Sequence, residues 1–229
     1  IREANGKTQT IMQLNCLSEV EDILGVLSNL DYEMRYRICV ATREYFRSTV
    51  TDCPIALHFS GHGIENNRES LGHEAVLFKG KGNILLLEDG NGKSSYFFEE
   101  DLRTLVDISK NKFEVVFVSS CHSEFAGRVF LNAGAKHVIC IRGEEKISDK
   151  ASLRFSKVFY ETLFGKKYNV CDSFHTAKEE VRNDVNGAEA NKFLLFTQES
   201  DGCNYGKKHK CSQILNLKPG KLINVEKEP

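Results

Sequence analysis

Two short loops of this sequence carry the residue types that nucleophilic catalysis requires. His62 lies between two glycines directly after the apolar run Ile55 to Phe59, and Cys121 follows the run Glu114 to Val118 after two serines. A cysteine attacks as the thiolate, and a nearby imidazole accepts the thiol proton and stabilises the thiolate by its positive charge. The two loops therefore predict a catalytic pair in which Cys121 is the nucleophile and His62 handles protons.

The sequence around the two residues favours this chemistry. A helix is predicted from about Glu124, and the partial positive charge at its N-terminus would stabilise a thiolate at Cys121. The glycines beside His62 carry no side chains, so a substrate backbone can approach closely. We expect the backbone amides of Gly63 and Cys121 to form an oxyanion hole, which contributes about 3 kcal/mol per donor in proteases.

The elements that precede these loops determine whether the pair can form. Apolar runs alternate with helical patterns along the chain, and a strand-helix-strand order implies parallel pairing. Parallel strands end at the same edge of a sheet, and ligand sites of open α/β sheets lie beyond those carboxyl ends. We therefore expect His62 and Cys121 to emerge at one edge if their strands are neighbours.

The pattern predicts one doubly wound α/β domain over residues 1–198, with a mostly parallel sheet and helices on both faces. About six strands are predicted: Thr10 to Cys16, Arg35 to Val40, Ile55 to Phe59, Glu114 to Val118, Lys136 to Ile141 and Lys192 to Phe196. The predicted helices cover residues 18–30, where Ser18 and Glu21 form a capping box, 42–50, 99–107, 124–134, 149–164 and 172–183. A small β-hairpin insert is predicted from Ala75 to Lys79 and Ile84 to Glu88, with turns at 80–83 and 89–92.

Composition and charge narrow the possible functions. The chain has 229 residues, 41% of them hydrophobic, and 31 basic against 32 acidic side chains give a net charge of −1. A net charge so close to zero gives no overall positive potential that would hold nucleic acid. The apolar runs are far shorter than the about 20 residues of a membrane span, so we expect no membrane contact. Partners are therefore expected at a local site.

The cysteines and the end of the chain lead to further expectations. Eight cysteines at irregular spacing, with no C-x-x-C pair, favour a reducing, cytoplasmic compartment. Cys203, His209 and Cys211 lack a clear fourth ligand, so a solvated tail is favoured over a zinc site, and no metal is expected. The chain begins with Ile1, and residues 199–229 are expected to be a linker or tail toward a missing part of a larger protein.

Several motifs resemble those of the caspase-like cysteine peptidases, which include caspases, metacaspases and separases. Phe59 to Gly63 and Ser119 to Ser123 are similar to the His and Cys motifs of that superfamily, at a spacing close to that of caspases. Further segments are similar to its CHAT branch, and the resemblance covers about residues 10 to 197. These segments are Ala41 to Glu44, Glu100 to Leu102, Phe130 to Ile139, Ile147 to Ser152 and Phe159 to Leu163.

The resemblance implies a fold, an activity and a setting. The fold is a caspase-like three-layer sandwich. The activity is hydrolysis of a protein or peptide substrate: Cys121 attacks the carbonyl, His62 transfers protons, and water hydrolyses a thioester acyl-enzyme without any cofactor. The setting is a regulated effector module of a larger signalling, cell-death or defence protein that carries repeat or NTPase domains and is held inactive until it is triggered.

The sequence departs from the family patterns that set substrate specificity. Metacaspases have Asp two residues before the cysteine, and Ser119 stands there, so a strict preference for Arg or Lys at P1 is not supported. The caspase pattern Q-A-C-x-G is also broken, which removes the basis for Asp specificity. Ser119 remains a substrate-binding candidate. Arg142 and Glu144, after the strand that follows the catalytic helix, are opposed candidates for the same pocket, and a solvated loop of mixed charge explains them equally well.

The same residues allow other interpretations. A phosphatase loop needs C-x5-R, whereas six residues separate Cys121 from Arg128. His58 lies inside its strand and is interpreted as a core or supporting residue, and His122 as a polar contact at the helix start. The serious alternative is a catalytically inactive caspase-like module that signals by assembly. The presence of both His62 and Cys121 argues against it.

Overall fold

The computed structural model describes residues 14–52, 54–72, 74–108 and 113–198. Cys203, His209 and Cys211 lie outside these ranges. The elements are α1 (Cys16–Ser28), α2 (Arg43–Asp52), β1 (Ala56–Ser60), β2 (Gly63–Ile64), α3 (Arg68–Leu71), α4 (Glu74–Leu77), β3 (Ile84–Glu88), β4 (Ser94–Phe98), α5 (Glu99–Ile108), β5 (Val115–Ser119), α6 (Glu124–Asn132), β6 (His137–Ile141), α7 (Asp149–Tyr160), α8 (Val170–Asp184), α9 (Gly187–Lys192) and β7 (Phe193–Thr197). A π-helical segment, Glu161–Gly165, continues α7.

The main sheet has the strand order β1-β5-β6-β7 and is mostly parallel. β1 pairs with β5, and β5 with β6, in parallel, whereas β7 is antiparallel to β6. All residues of β5 and β6 are buried, as expected for strands covered on both faces. In the register of β1 and β5, Ser60 lies opposite Ser119, so both strands end at the same level.

Helices cover both faces of this sheet, which confirms the predicted three-layer α/β fold. One core cluster joins Phe117 and Ile139 of the sheet to α7 and α8, with α1 packed against it. The other joins Val116 and Val118 to α2, α5 and α6. Alternate residues of each strand enter opposite clusters, which is the period of two that a β-strand imposes.

A second, antiparallel sheet of three strands, β2-β3-β4, extends from the loop after β1. The predicted strand Ile84 to Glu88 and the turn at 89–92 are confirmed, and Gly90 and Gly92 adopt the positive φ angles that this turn needs. The predicted strand Ala75 to Lys79 is wrong, because residues 74–77 form the short helix α4. β3 therefore pairs with β2 and β4, and not with residues 75–79.

The described part of the main sheet has four strands and not about six. The segment Arg35 to Val40 is exposed and unpaired: Arg37 donates hydrogen bonds to Asp52 and Thr49, which tie the segment to α2. Residues 10–13 of the predicted strand Thr10 to Cys16 lie outside the described residues, and α1 begins at Cys16. The antiparallel direction of β7 was also missed, because three helices separate it from β6 and the single-crossover argument for parallel pairing does not apply.

The predicted helices appear close to their predicted bounds, with one difference at the start of α1. Asn15 is the N-cap of α1 and its side chain makes no capping bond, so the predicted capping box of Ser18 and Glu21 is wrong. The helix begins two residues earlier and turns Glu19 into the interior. In the described part of the chain, every helix is too short or too polar to cross a membrane.

Candidate active site

His62 and Cys121 line one cleft at the carboxyl ends of β1 and β5. The cleft is open to solvent. Its walls come from the start of α1, the loops after β1 and β5, and the start of α7. The lining residues are Leu14, Asn15, Cys16, Glu19, Ser60, Gly61, His62, Ser119, Ser120, Cys121, Ile147, Asp149, Ser152 and Leu153. The pairing of β1 with β5 is what brings the His62 and Cys121 loops together.

The two loops contact each other through their backbones. The Gly61 amide donates to the Ser119 carbonyl over 3.2 Å. A Cβ atom at Gly63 would lie 1.9 Å from the Cys121 carbonyl oxygen, so no larger residue fits there without moving the backbone. The amide of Leu86 donates to the His62 carbonyl, which makes Gly63 and Leu85 a non-hydrogen-bonded pair of the antiparallel ladder. The Gly63 amide therefore points away from β3, as a donor to an oxyanion must.

The surroundings of Cys121 favour the protonated thiol over the thiolate. Its Sγ donates to the carbonyl of Ile147 over 3.9 Å. Burial raises the pKa of the Cys121 thiol, and this effect outweighs the hydrogen bond to Ile147 and the charges of Lys146 and Lys192, which lower it. A thiol in this state needs a base close to it, or a change in its surroundings, before it can attack a carbonyl.

His122, directly after Cys121, holds the neighbouring loop in place. It adopts a positive φ of 54°, which is uncommon for a residue with a side chain. Its Nδ1 lies 2.8 Å from the Gly143 carbonyl and therefore donates to it, and its backbone amide donates to the Glu145 carbonyl. The imidazole is 6% exposed. This agrees with the interpretation of His122 as a polar contact and not as the base.

The structure separates the three predicted substrate-binding candidates. Ser119 is buried at the wall of the cleft, where its hydroxyl lies 2.7 Å from the Ser152 hydroxyl and 3.5 Å from Glu19 Oε1. Arg142 and Glu144 are exposed and are not among the residues that line the cleft. The loop that carries them is bonded to His122 through Gly143 and Glu145.

A buried carboxylate lies beneath the cleft, and the prediction from sequence missed it. Glu19 is 4% exposed, and its Oε1 accepts from the Ser156 hydroxyl and lies 3.3 Å from His58 Nε2. Burial alone would raise the pKa of Glu19, but His58 and the hydroxyls of Ser156 and Ser60 lower it to about 2. Glu19 is therefore ionised throughout the physiological pH range.

His58 connects this carboxylate to the far side of the core. Its Nδ1 lies 2.9 Å from the hydroxyl of Tyr160, and the ring also packs against Phe117. Burial raises the pKa of the Tyr160 phenol, and the charge of Glu19 raises it further. The interpretation of His58 as a core or supporting residue is confirmed by these contacts. Glu19, His58 and Tyr160 together form one polar network on the α1 side of the sheet.

A signal for Glu19 was present in the sequence. Ile23, Val26 and Leu27 of α1 pack against the core cluster on the α1 side of the sheet. Glu19 stands one turn before Ile23 on that apolar stripe, where a charged residue is costly to bury unless it has a partner. A second carboxylate, Asp149 at the start of α7, also lines the cleft and accepts from the Asn15 amide over 3.3 Å. The described residues hold no cluster of three or more metal-ligating side chains.

Comparison with known proteins adds one match. The family model of the CHAT domain matches residues 19–201 of the chain. No curated protein matches it. The matched range begins at Glu19 and contains both His62 and Cys121, so the cleft lies wholly within it apart from Leu14, Asn15 and Cys16.

Proposed function

Since this chain belongs to the CHAT domain family, which is related to the caspase-like cysteine peptidases, we propose that it is a cysteine endopeptidase. Cys121 is the nucleophile and His62 is the general base and acid. The observation that carries the proposal is that both residues line one cleft, at the ends of two adjacent parallel strands. A nucleophile and a base at such a sheet edge are the minimum that covalent hydrolysis of a peptide requires.

The proposed reaction balances within the cleft. His62 accepts the thiol proton, and the thiolate of Cys121 forms a bond to the carbonyl carbon of the substrate. The amides of Gly63 and Cys121 stabilise the negative oxygen of the tetrahedral intermediate. His62 then protonates the leaving amine as the C–N bond breaks, which leaves a thioester. Water, deprotonated by His62, releases the acid and restores the thiol.

The protonated state of Cys121 fits an enzyme that requires activation. The thiol is held by the Ile147 carbonyl and burial disfavours its thiolate. A shift of the loop that carries Ile147 would release the thiol toward His62. This is what we expect of an effector module that larger parent domains, of the repeat or NTPase type, switch on in a signalling, cell-death or defence protein.

The same observation favours a second candidate function. A cysteine whose thiol is partly buried and hydrogen-bonded to a carbonyl could also belong to a module that has kept the fold and signals by assembly. In that case the cleft would have no turnover under any condition. The two candidates therefore differ in a single property, which is hydrolysis that depends on Cys121.

A peptide library separates the two candidates. We expect the protein to cleave a subset of the library, and Cys121→Ala and His62→Ala each to reduce cleavage below detection. Cys39→Ser is the matched control, because Cys39 is an exposed thiol outside the cleft, and it should retain full activity. Cleavage that survives in Cys121→Ala would refute the proposed nucleophile. Absence of cleavage in the wild type, with and without its parent domains, would support the inactive module.

A further inference from the structure

The acidic side chains that line the cleft are two carboxylates, and the charges of Lys146 and Lys192, outside the lining, also reach Cys121. Among the described residues that line the cleft, Glu19 and Asp149 are acidic and none is a lysine or arginine. A low-dielectric cleft strengthens the field of such charges and favours a ligand of opposite sign.

The two carboxylates lie at different depths. Glu19 is almost completely buried at the base of the cleft, next to Ser119, which is two residues before the candidate nucleophile. Asp149 is partly exposed at the start of α7. The cleft that holds Cys121 therefore offers one buried and one partly exposed carboxylate.

Glu19 stays ionised at the wall of the cleft, where it is paired with His58. The contacts of Glu19 with Ser156 and His58 favour its ionised form, with a pKa lowered to about 2. The charge is therefore present at any pH at which a peptidase of this type would work. The walls also offer apolar surface from Leu14, Ile147 and Leu153, against which the methylene groups of a long cationic side chain can pack.

We propose that this cleft binds the P1 side chain of the substrate and that Glu19 and Asp149 select a basic one, arginine more than lysine. The proposal rests on the peptidase function proposed above. It places the acidic recognition on α1 and α7, whereas metacaspases have an acidic residue at the position of Ser119. Arginine is favoured because its planar guanidinium presents several donors at once to a carboxylate, and because it is less strongly hydrated than an ammonium group.

A purely structural role of Glu19 predicts a different outcome. If Glu19 only pairs with His58 and holds α1 to the sheet, its replacement lowers stability and the rate for every substrate in the same proportion. A role in recognition changes the ratio of rates between a basic and a neutral P1 residue. The ratio of kcat/KM values is therefore the informative measurement, because it does not depend on how much of the variant is folded.

The test uses the whole protein and peptides that differ only at P1, with arginine, lysine, norleucine or aspartate. We expect the wild type to prefer arginine, and Glu19→Gln to lower the arginine-to-norleucine ratio of kcat/KM by about tenfold or more. Asp149→Asn, at the less buried position, should lower it by a smaller factor. Glu21→Gln is the matched control, because Glu21 is exposed on the same helix, and it should leave the ratio unchanged.

The outcomes distinguish this inference from the proposed function. A wild type that prefers norleucine or aspartate, or a ratio unchanged in both Glu19→Gln and Asp149→Asn, would overturn the selection of basic residues and leave the peptidase intact. If the wild type cleaves none of the peptides, irreversible peptidyl ketones with arginine or norleucine at P1 report binding at Cys121 directly. Faster labelling by the arginine ketone supports the inference. Equal or slower labelling contradicts it, and no labelling by either ketone refutes the proposed function itself.

Discussion

The two faces of β1 are packed against different chemistry. Leu57 and Phe59 point to the α2, α5 and α6 side, where the core cluster is entirely apolar and Phe59 meets Phe46 edge to face. His58 and Ser60 alternate with them and point to the α1 and α7 side, toward Glu19 and Cys16. One strand thus separates an ordinary hydrophobic core from a network of buried polar side chains.

The difference shows which face is specialised. Burying a charge is costly unless it is paired and hydrogen-bonded, and an apolar replacement of the same shape is often more stable. The core cluster on the α2 side is built from apolar side chains. The α1 side keeps Glu19, His58 and Tyr160, and this network reaches the wall of the cleft that holds Cys121. The polar face therefore differs from the apolar one in that it extends to the candidate site.

The largest expected effect comes from removing one buried side chain on each face. Glu19→Ala leaves His58 and Ser156 without their partner and should lower the free energy of unfolding by about 3–5 kcal/mol. Leu102→Ala, in the fully buried core on the α5 side, should lower it by about 2–5 kcal/mol through a cavity. Urea denaturation at pH 7 measures both. A loss below about 1 kcal/mol for Glu19→Ala would show that the polar network contributes little.

In acid, the losses in free energy of unfolding caused by Glu19→Ala and Leu102→Ala should no longer be similar. The pKa of Glu19 is lowered from its ordinary 4.5 to about 2 in the folded protein, so its contribution is complete above about pH 4.5 and is lost as the pH falls toward 2. The difference in free energy of unfolding between wild type and Glu19→Ala should therefore shrink over this window. The difference for Leu102→Ala should not change there. A pH-independent difference at Glu19 would contradict the lowered pKa.

A smaller effect is expected at the far end of the polar network. Tyr160→Phe removes the hydroxyl that lies 2.9 Å from His58 Nδ1 and keeps the ring that packs in the core. The expected loss in free energy of unfolding is about 1 kcal/mol, the typical net value of one hydrogen bond. Thermal and urea denaturation measure it. An unchanged or increased stability would place Tyr160 outside the network that supports Glu19.

The parts of the fold that could be predicted are those that local patterns determine. β5 and β6 were found because strands buried on both faces are continuous apolar runs, and the turn at 89–92 because its glycines mark it. The segment Arg35 to Val40 has the same alternation as an edge strand. Its failure to pair depends on the contact of Arg37 with α2, which no local pattern contains.

The candidate site divides in the same way. Placement of His62 and Cys121 after two strands was sufficient to predict that they share one edge, because parallel pairing fixes where strands end. The position of Arg142 was not predictable. The loop that carries Arg142 is bonded to His122 through Gly143 and Glu145, and these are contacts between segments that no local pattern contains. The role of Glu19 depends on partners from β1, β5 and α7, all distant in sequence.

The central claim is that Cys121 is a nucleophile activated by His62, and the most direct test is covalent labelling followed by mass spectrometry. The protein is incubated with a peptidyl chloromethyl ketone, and the modified residue and the labelling rate are determined for the wild type and for His62→Ala. We expect a single adduct on Cys121 in the wild type and a much slower reaction in His62→Ala. An adduct distributed over Cys16, Cys39 and other thiols, or an equal labelling rate at Cys121 in the two proteins, would contradict the claim.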